Sequence, residues 1–339
     1  MKKKNIILSL IFSLLTMFIT FYIIFKKHNI NLVIESVKNV NFLCIFICFV
    51  LVVLYFVCQG IYIKLMLGAL GRRCKLIKGI YYTMIEFLFS GITPGGGGGQ
   101  PVVIYYMKKN GIPIKQSTII MLINTIMFKF FLVIGAIVIL LAKPEYVFGD
   151  NKLITIFFFL GVGLDIFLTV LYMLLLYNQE LIKILLDVLY KFYFKVRHRE
   201  GYKEEAAKVL AQYSQEARFI KDHKKEIILS LLVTFLQRMF MFSVTYVIYR
   251  GLGFNSMNYL EMVLLQIFVQ ISVEAIFLPG GTGISEYVSG HMFVAIFGCL
   301  STTGMLLFRF LTFYTPLLLI AIMYVITVVC KCKKKLKAQ

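Results

Sequence analysis

Apolar residues fill this chain in blocks long enough to cross a bilayer, separated by short polar, mostly basic turns. A spanning helix needs about 20 apolar residues. Six blocks meet that length: 5–25, 41–62, 117–141, 153–177, 226–249 and 302–329. Two further blocks, 80–107 and 258–298, are interrupted by proline-glycine runs. The first run is Ser90-Gly91-Ile92-Thr93-Pro94-Gly95-Gly96-Gly97-Gly98-Gly99-Gln100-Pro101, and the second is Leu278-Pro279-Gly280-Gly281-Thr282-Gly283-Ile284-Ser285-Glu286. Such backbone leaves N–H and C=O groups unpaired. At membrane depth it is tolerated only where it lines a polar cavity or is buried in protein. Past the first break only Val102 to Lys108 remain before the next basic turn, too few to cross at about 1.5 Å per residue. Both blocks therefore read as re-entrant hairpins, the second with longer arms.

The spacing also predicts a repeat. Moving the first half by 185 positions carries Pro94 onto Pro279, 42 onto 227 and 117 onto 302. Each half then reads span, span, hairpin, span, in opposite orientation, a pattern of many secondary transporters. The expected fold class is an all-α polytopic membrane protein, with six spanning helices and two opposed re-entrant hairpins in an inverted repeat. It forms one transmembrane domain over 1–339, with a first repeat at 1–141 and a second at 153–329. A basic, amphipathic cytoplasmic loop at 178–225 and a basic tail at 330–339 complete it.

Composition supports a membrane chain. Of 339 residues, 60% are hydrophobic and 15% charged, against about 25% charged in soluble domains. The net charge of +20 raises nucleic acid as a partner. However, the basic residues gather at the ends of apolar blocks, where they set orientation. With the N-terminus inside, the inner segments hold 27 of the 36 Lys and Arg and the outer segments hold 6. Both termini are therefore expected in the cytoplasm, and anionic lipids are expected partners of the 178–225 loop. The seven Cys and four His show no ligand spacing, so no metal, disulfide framework or cofactor is expected. Gly95 to Gly99 lacks the Gly-Lys-[Ser/Thr] ending of a phosphate-binding loop, so nucleotide binding is not expected either.

Charge inside a membrane is costly and marks function by default. Glu86, Lys129, Asp165, Arg238, Glu274, Glu286 and Arg309 fall in apolar blocks or beside the breaks. Gln266, Gln270 and Glu274 share one helical face leading to Pro279. Thr93, Gly97 and Gln100 belong to the first break, and Thr282 and Ser285 to the second. Carboxylates there suit a cationic headgroup. Lys129, Arg238 and Arg309, with glycine-loop N–H groups, suit a phosphate. The bland reading is internal pairing for packing: Glu86 or Glu274 with Arg309, Lys129 or Arg238, and Asp165, beside Gly161 and Gly163, within the bundle.

The motif from Ile92 to Pro101, followed by the basic turn Lys108-Lys109-Asn110-Gly111, resembles the first signature of the lysylphosphatidylglycerol synthase/flippase transmembrane family. Pro279-Gly280-Gly281-Thr282-Gly283 with Glu286 resembles its second. That family includes the flippase domain of the multiple peptide resistance factor. The resemblance extends over nearly the whole chain. It implies movement of an aminoacylated phospholipid between leaflets of a bacterial-type inner membrane, and a link to cationic antimicrobial peptide resistance. In full-length synthases a soluble domain makes that lipid from aminoacyl-tRNA, and no such domain is expected here. The chain thus reads as a transporter rather than an enzyme, with a phospholipid as substrate and no cofactor. A separate soluble synthase and a homodimer are the further partners considered. The alternative is a membrane-bound lysyltransferase-type component that works with a soluble catalytic partner.

Overall fold

The computed structural model describes residues 40–91, 93, 98–142, 152–177, 223–274 and 284–324, and every regular element among them is helical. In chain order these are α1 (Phe42–Ala69), α2 (Leu76–Gly91), α3 (Gly99–Lys109), α4 (Ile114–Ala142), α5 (Lys152–Tyr177), α6 (Lys224–Gly251), α7 (Tyr259–Glu274), α8 (Ile284–Phe297) and α9 (Ser301–Arg309). A 3₁₀ turn, Gly298–Leu300, precedes α9. A π turn, Phe310–Tyr314, follows it and leads into helix over 315–324.

Five helical stretches are long and apolar enough to cross a membrane: α1, α4, α5 as far as Leu174, α6, and the continuous run Gly298–Tyr324. They coincide with five of the six expected spans. The block at 5–25 lies outside the described residues, as does 178–222 of the basic loop. Helices apolar on all sides need an apolar solvent. Phe159, Leu160, Phe167, Leu232, Phe235 and Leu318 all face outward from the bundle. The protein is a multi-pass membrane protein.

Each proline-glycine run separates two helices that pack on each other, α2 with α3 and α7 with α8. The shift of 185 positions carries the first residue of α3, Gly99, onto that of α8, Ile284. The most extensive helix packing joins α1 to α6, which correspond under the shift. They run antiparallel: Cys44 touches the space beside Gly251, Cys48 lies near Val244 O at 3.9 Å, and Tyr55 meets Arg238. Likewise α7 lies against α4, with Ile267 on Gly135, while α2 lies against the last helix, with Gly91 on Leu317.

Small residues set the closest approaches, as expected where apolar surfaces gain little from leaving lipid. Gly60 and Gly79 let α1 and α2 meet backbone to backbone. Gly161 does the same for α5 and α7, since a Cβ there would run into the Ile271 carbonyl. Phe158 stacks on Phe268 one turn earlier, ring centres 4.7 Å apart, so α5 and α7 run parallel through this contact. Gly163, two residues on, has open space around it. Gly161→Ala should destabilise the protein by about 1–3 kcal/mol through overpacking. Gly163→Ala should leave stability unchanged or raise it by up to about 1 kcal/mol through helix propensity. Thermal unfolding of the two variants in one detergent checks the contrast, and equal melting temperatures would refute it.

Candidate functional site

The site is built around the middle of α4. This helix is almost wholly apolar, yet it carries Asn124, Thr125 and Lys129 near its midpoint. Lys129 Nζ donates to Asp165 Oδ1 of α5 at 2.6 Å and to Glu274 Oε2, the last residue of α7. Glu274 Oε1 accepts a second bond from Gln270 Nε2, one turn back, at 2.8 Å. The side chains of Lys129, Asp165 and Glu274 are 11%, 1% and 18% exposed. Three ionisable groups are thus withdrawn from water together, and an unpaired charge among them would be severely penalised. The glycine contact explains how they meet. Asp165 stands one turn after Gly161, and Glu274 three residues after Ile271, so the parallel crossing delivers both carboxylates to the same level of α4.

A second charged group touches the neighbouring residue of α4. The Arg238 guanidinium lies 3.7 Å from the centre of the Phe128 ring and 5.7 Å from that of Tyr55. Lys129 Nζ is 5.9 Å from the same Phe128 centre. Cations over an aromatic face gain electrostatic stabilisation, more so when desolvated. Glu86 of α2 lies within electrostatic reach of Arg238 and beside Gln59 of α1.

The first break is anchored to the same turn. Thr93 Oγ1 donates to Phe89 O at 2.7 Å and accepts from Gly98 N at 2.9 Å, closing the chain between α2 and α3. A Cβ at Gly99 would collide with Ser90 and the Glu86 carbonyl, so only glycine fits where α3 restarts. Gln100 Nε2 then donates to Thr125 Oγ1 at 2.8 Å. Thr125 and Lys129 are one helical turn apart on one face of α4. The restart after the first break and the helix end before the second are therefore fastened to adjacent turns at mid-length of a spanning helix.

Of the residues singled out from sequence, Gln100, Lys129, Gln270 and Glu274 meet along this face, and Glu86 and Arg238 join through Phe128. Thr93 is tied up in closing the first break. Arg309 ends α9 where the π turn begins. Ser285 and Glu286 lie in the first turn of α8, but their side chains, with Gly97 and Thr282, lie outside the described residues. Asp165, read as an internal partner, is one, and its partner is Lys129. Thr125 and Gln59 were missed; the available signal was a polar residue within a spanning block. Beside these groups, Asn124 Oδ1, both amide atoms of Gln237, Gln266 Nε2 and Arg238 Nε are buried without a hydrogen-bond partner among the described residues. Native interiors leave few such groups unpaired.

Comparison with known proteins places this geometry in a family. The model of the lysylphosphatidylglycerol synthase TM region matches residues 6–320. The chain belongs to that family. A relative described as a UPF0104 membrane protein of Archaeoglobus fulgidus is 25% identical over 298 residues, covering 86% of this chain and 89% of the relative. Within this family member, the ion network gives a direct test. Lys129→Met leaves two carboxylates buried without an ammonium and should destabilise by about 3–5 kcal/mol. Adding Asp165→Asn should restore part of that loss, which unfolding of the single and double variants would read as coupling. Strict additivity would show the two side chains to be independent.

Proposed function

We propose that the protein is a lipid translocase of a bacterial-type inner membrane, with both termini cytoplasmic. Its substrate is a phospholipid whose headgroup carries an ammonium and a phosphate, such as lysyl-phosphatidylglycerol. One observation carries this reading: a buried and a part-buried carboxylate meet a single ammonium beside the second proline-glycine run. Broken helices at membrane depth are the common device for binding polar cargo between repeats. The unpaired amides and Arg238 Nε supply further polar partners that an apolar cargo would waste. The family's own description names the same lipid.

In this mechanism the headgroup enters between the helix breaks while the acyl chains stay in the bilayer. The headgroup ammonium takes the place of Lys129 on Glu274, and the Arg238 guanidinium receives the phosphate. Movement of one half of the bundle against the other then opens the site to the opposite leaflet, with α1 and α6 as the antiparallel contact between halves. Binding energy comes from charge-assisted hydrogen bonds formed away from water, about 1.5–3 kcal/mol each. Glu274→Gln keeps the shape and removes the charge. Transfer of fluorescent lysyl-phosphatidylglycerol between liposome leaflets should slow by about 10- to 100-fold relative to wild type, with phosphatidylglycerol little affected. Equal rates for both lipids in both proteins would refute headgroup reading by Glu274.

A further inference from the structure

The charges around Lys129 do not balance. Asp165 and Glu274 bring two carboxylates, and the ammonium between them brings one positive charge. Asp165 is 1% exposed, and its Oδ2 receives no hydrogen bond among the described residues. Both carboxylates accept from the same Lys129 ammonium, so their oxygens lie side by side. Two carboxylates this close, away from water, do not both stay ionised beside a single cation.

Among the described residues of the three helices that carry the group, no other charge lies beside it. On α4, α5 and α7, the remaining described charges are Lys115, Lys152 and Glu261, each about 20 Å along its helix from the triad at 1.5 Å per residue. Arg238, on α6 against α4, lies on the Phe128 ring and within reach of Glu86.

We infer that Lys129, Asp165 and Glu274 form a binding site for one exchangeable proton, held between the two carboxylates, that couples headgroup movement to proton movement. This rests on the translocase reading above for its coupled cargo, but the proton site itself does not. When a headgroup ammonium reaches Glu274, its N–H donates to the oxygen that held the proton. The carboxyl O–H bond breaks, and the proton leaves to water on the open side. At the two carboxylates one positive charge arrives as one departs, so the charge of that pair stays balanced, while the phosphate is met by Arg238. Release of the headgroup on the other side lets a proton return. Lipid moves one way and a proton the other. A proton fits better than an alkali ion because the Lys129 ammonium already occupies the space between the carboxylates, leaving no shell of oxygens around a metal ion.

Infrared spectroscopy of the purified protein tests the site without any lipid cargo. Wild type at neutral pH should show the carbonyl stretch of a protonated carboxyl group. That intensity should fall by one group in Asp165→Asn and again in Glu274→Gln, each leaving Lys129 a single ionised partner. Both variants should keep the helical circular dichroism of wild type. If one does not fold, the other decides. Retention of full intensity in a folded variant overturns the proposal, as does its loss on replacing choline by sodium at fixed pH.

Coupling is read separately. Adding lysyl-phosphatidylglycerol micelles to weakly buffered protein should release one proton per chain, detected by a pH dye, whereas phosphatidylglycerol should release none. If the lysyl lipid crosses liposomes without proton release, coupling is wrong. If it neither crosses nor releases protons while the carboxyl band behaves as expected, the lipid assignment is wrong and the proton site stands.

Discussion

A buried ammonium cannot stand alone in a membrane protein, and the bundle is arranged around meeting that demand at Lys129. Its two carboxylates come from helices that reach it by different routes. Asp165 arrives on the long spanning helix α5, while Glu274 arrives on the shorter α7. Removing Lys129 would strand negative charge in a medium that cannot solvate it. The Gly161 contact that allows α5 to lie on α7 is therefore also an electrostatic device. Without that close approach, Asp165 and Glu274 would not reach the same level of α4.

The same turn of α4 organises the other polar contacts. Thr125 receives Gln100 from the restart after the first break, Phe128 receives the Arg238 guanidinium, and Lys129 receives the carboxylates. Consecutive functional contacts at 125, 128 and 129 mean that a small rotation or shift of α4 would be felt by α3, α5, α6 and α7 together. That is a physical basis for linking the state of the ion network to the position of both broken helices. The antiparallel packing of α1 on α6 is the broadest contact between the halves. It brings Tyr55 to Arg238, so the junction between the halves and the charged cluster share residues.

Much of this was legible in the residues. Continuous apolar runs placed five helices, because a bilayer permits no other way to satisfy the backbone, although α1 continues past the expected end at Tyr62 to Ala69. Pro94 and Pro279 marked both breaks. The i, i+4 spacing put Gln270 and Glu274 on one helical face, where the structure pairs them. Pairing was less legible. The sequence left Glu86 and Glu274 as rival partners for three cations, and Asp165 only a vague place in the bundle. Lys129 lies 36 positions from Asp165 and 145 from Glu274, and no local pattern spans such distances.

What the sequence determined by itself was the class of molecule, the helix boundaries and the two points where helices must end. Those follow from local physics: hydrophobic length, the missing N–H of proline and the freedom of glycine. What the tertiary structure decided was which charges neutralise one another and that Gln100 of α3 and Glu274 of α7 are fastened to adjacent turns of α4. That outcome depends on how closely particular helices approach, and on their direction and relative height. It is set by glycines such as Gly161, whose importance lies in the Ile271 carbonyl of a helix far away in the chain.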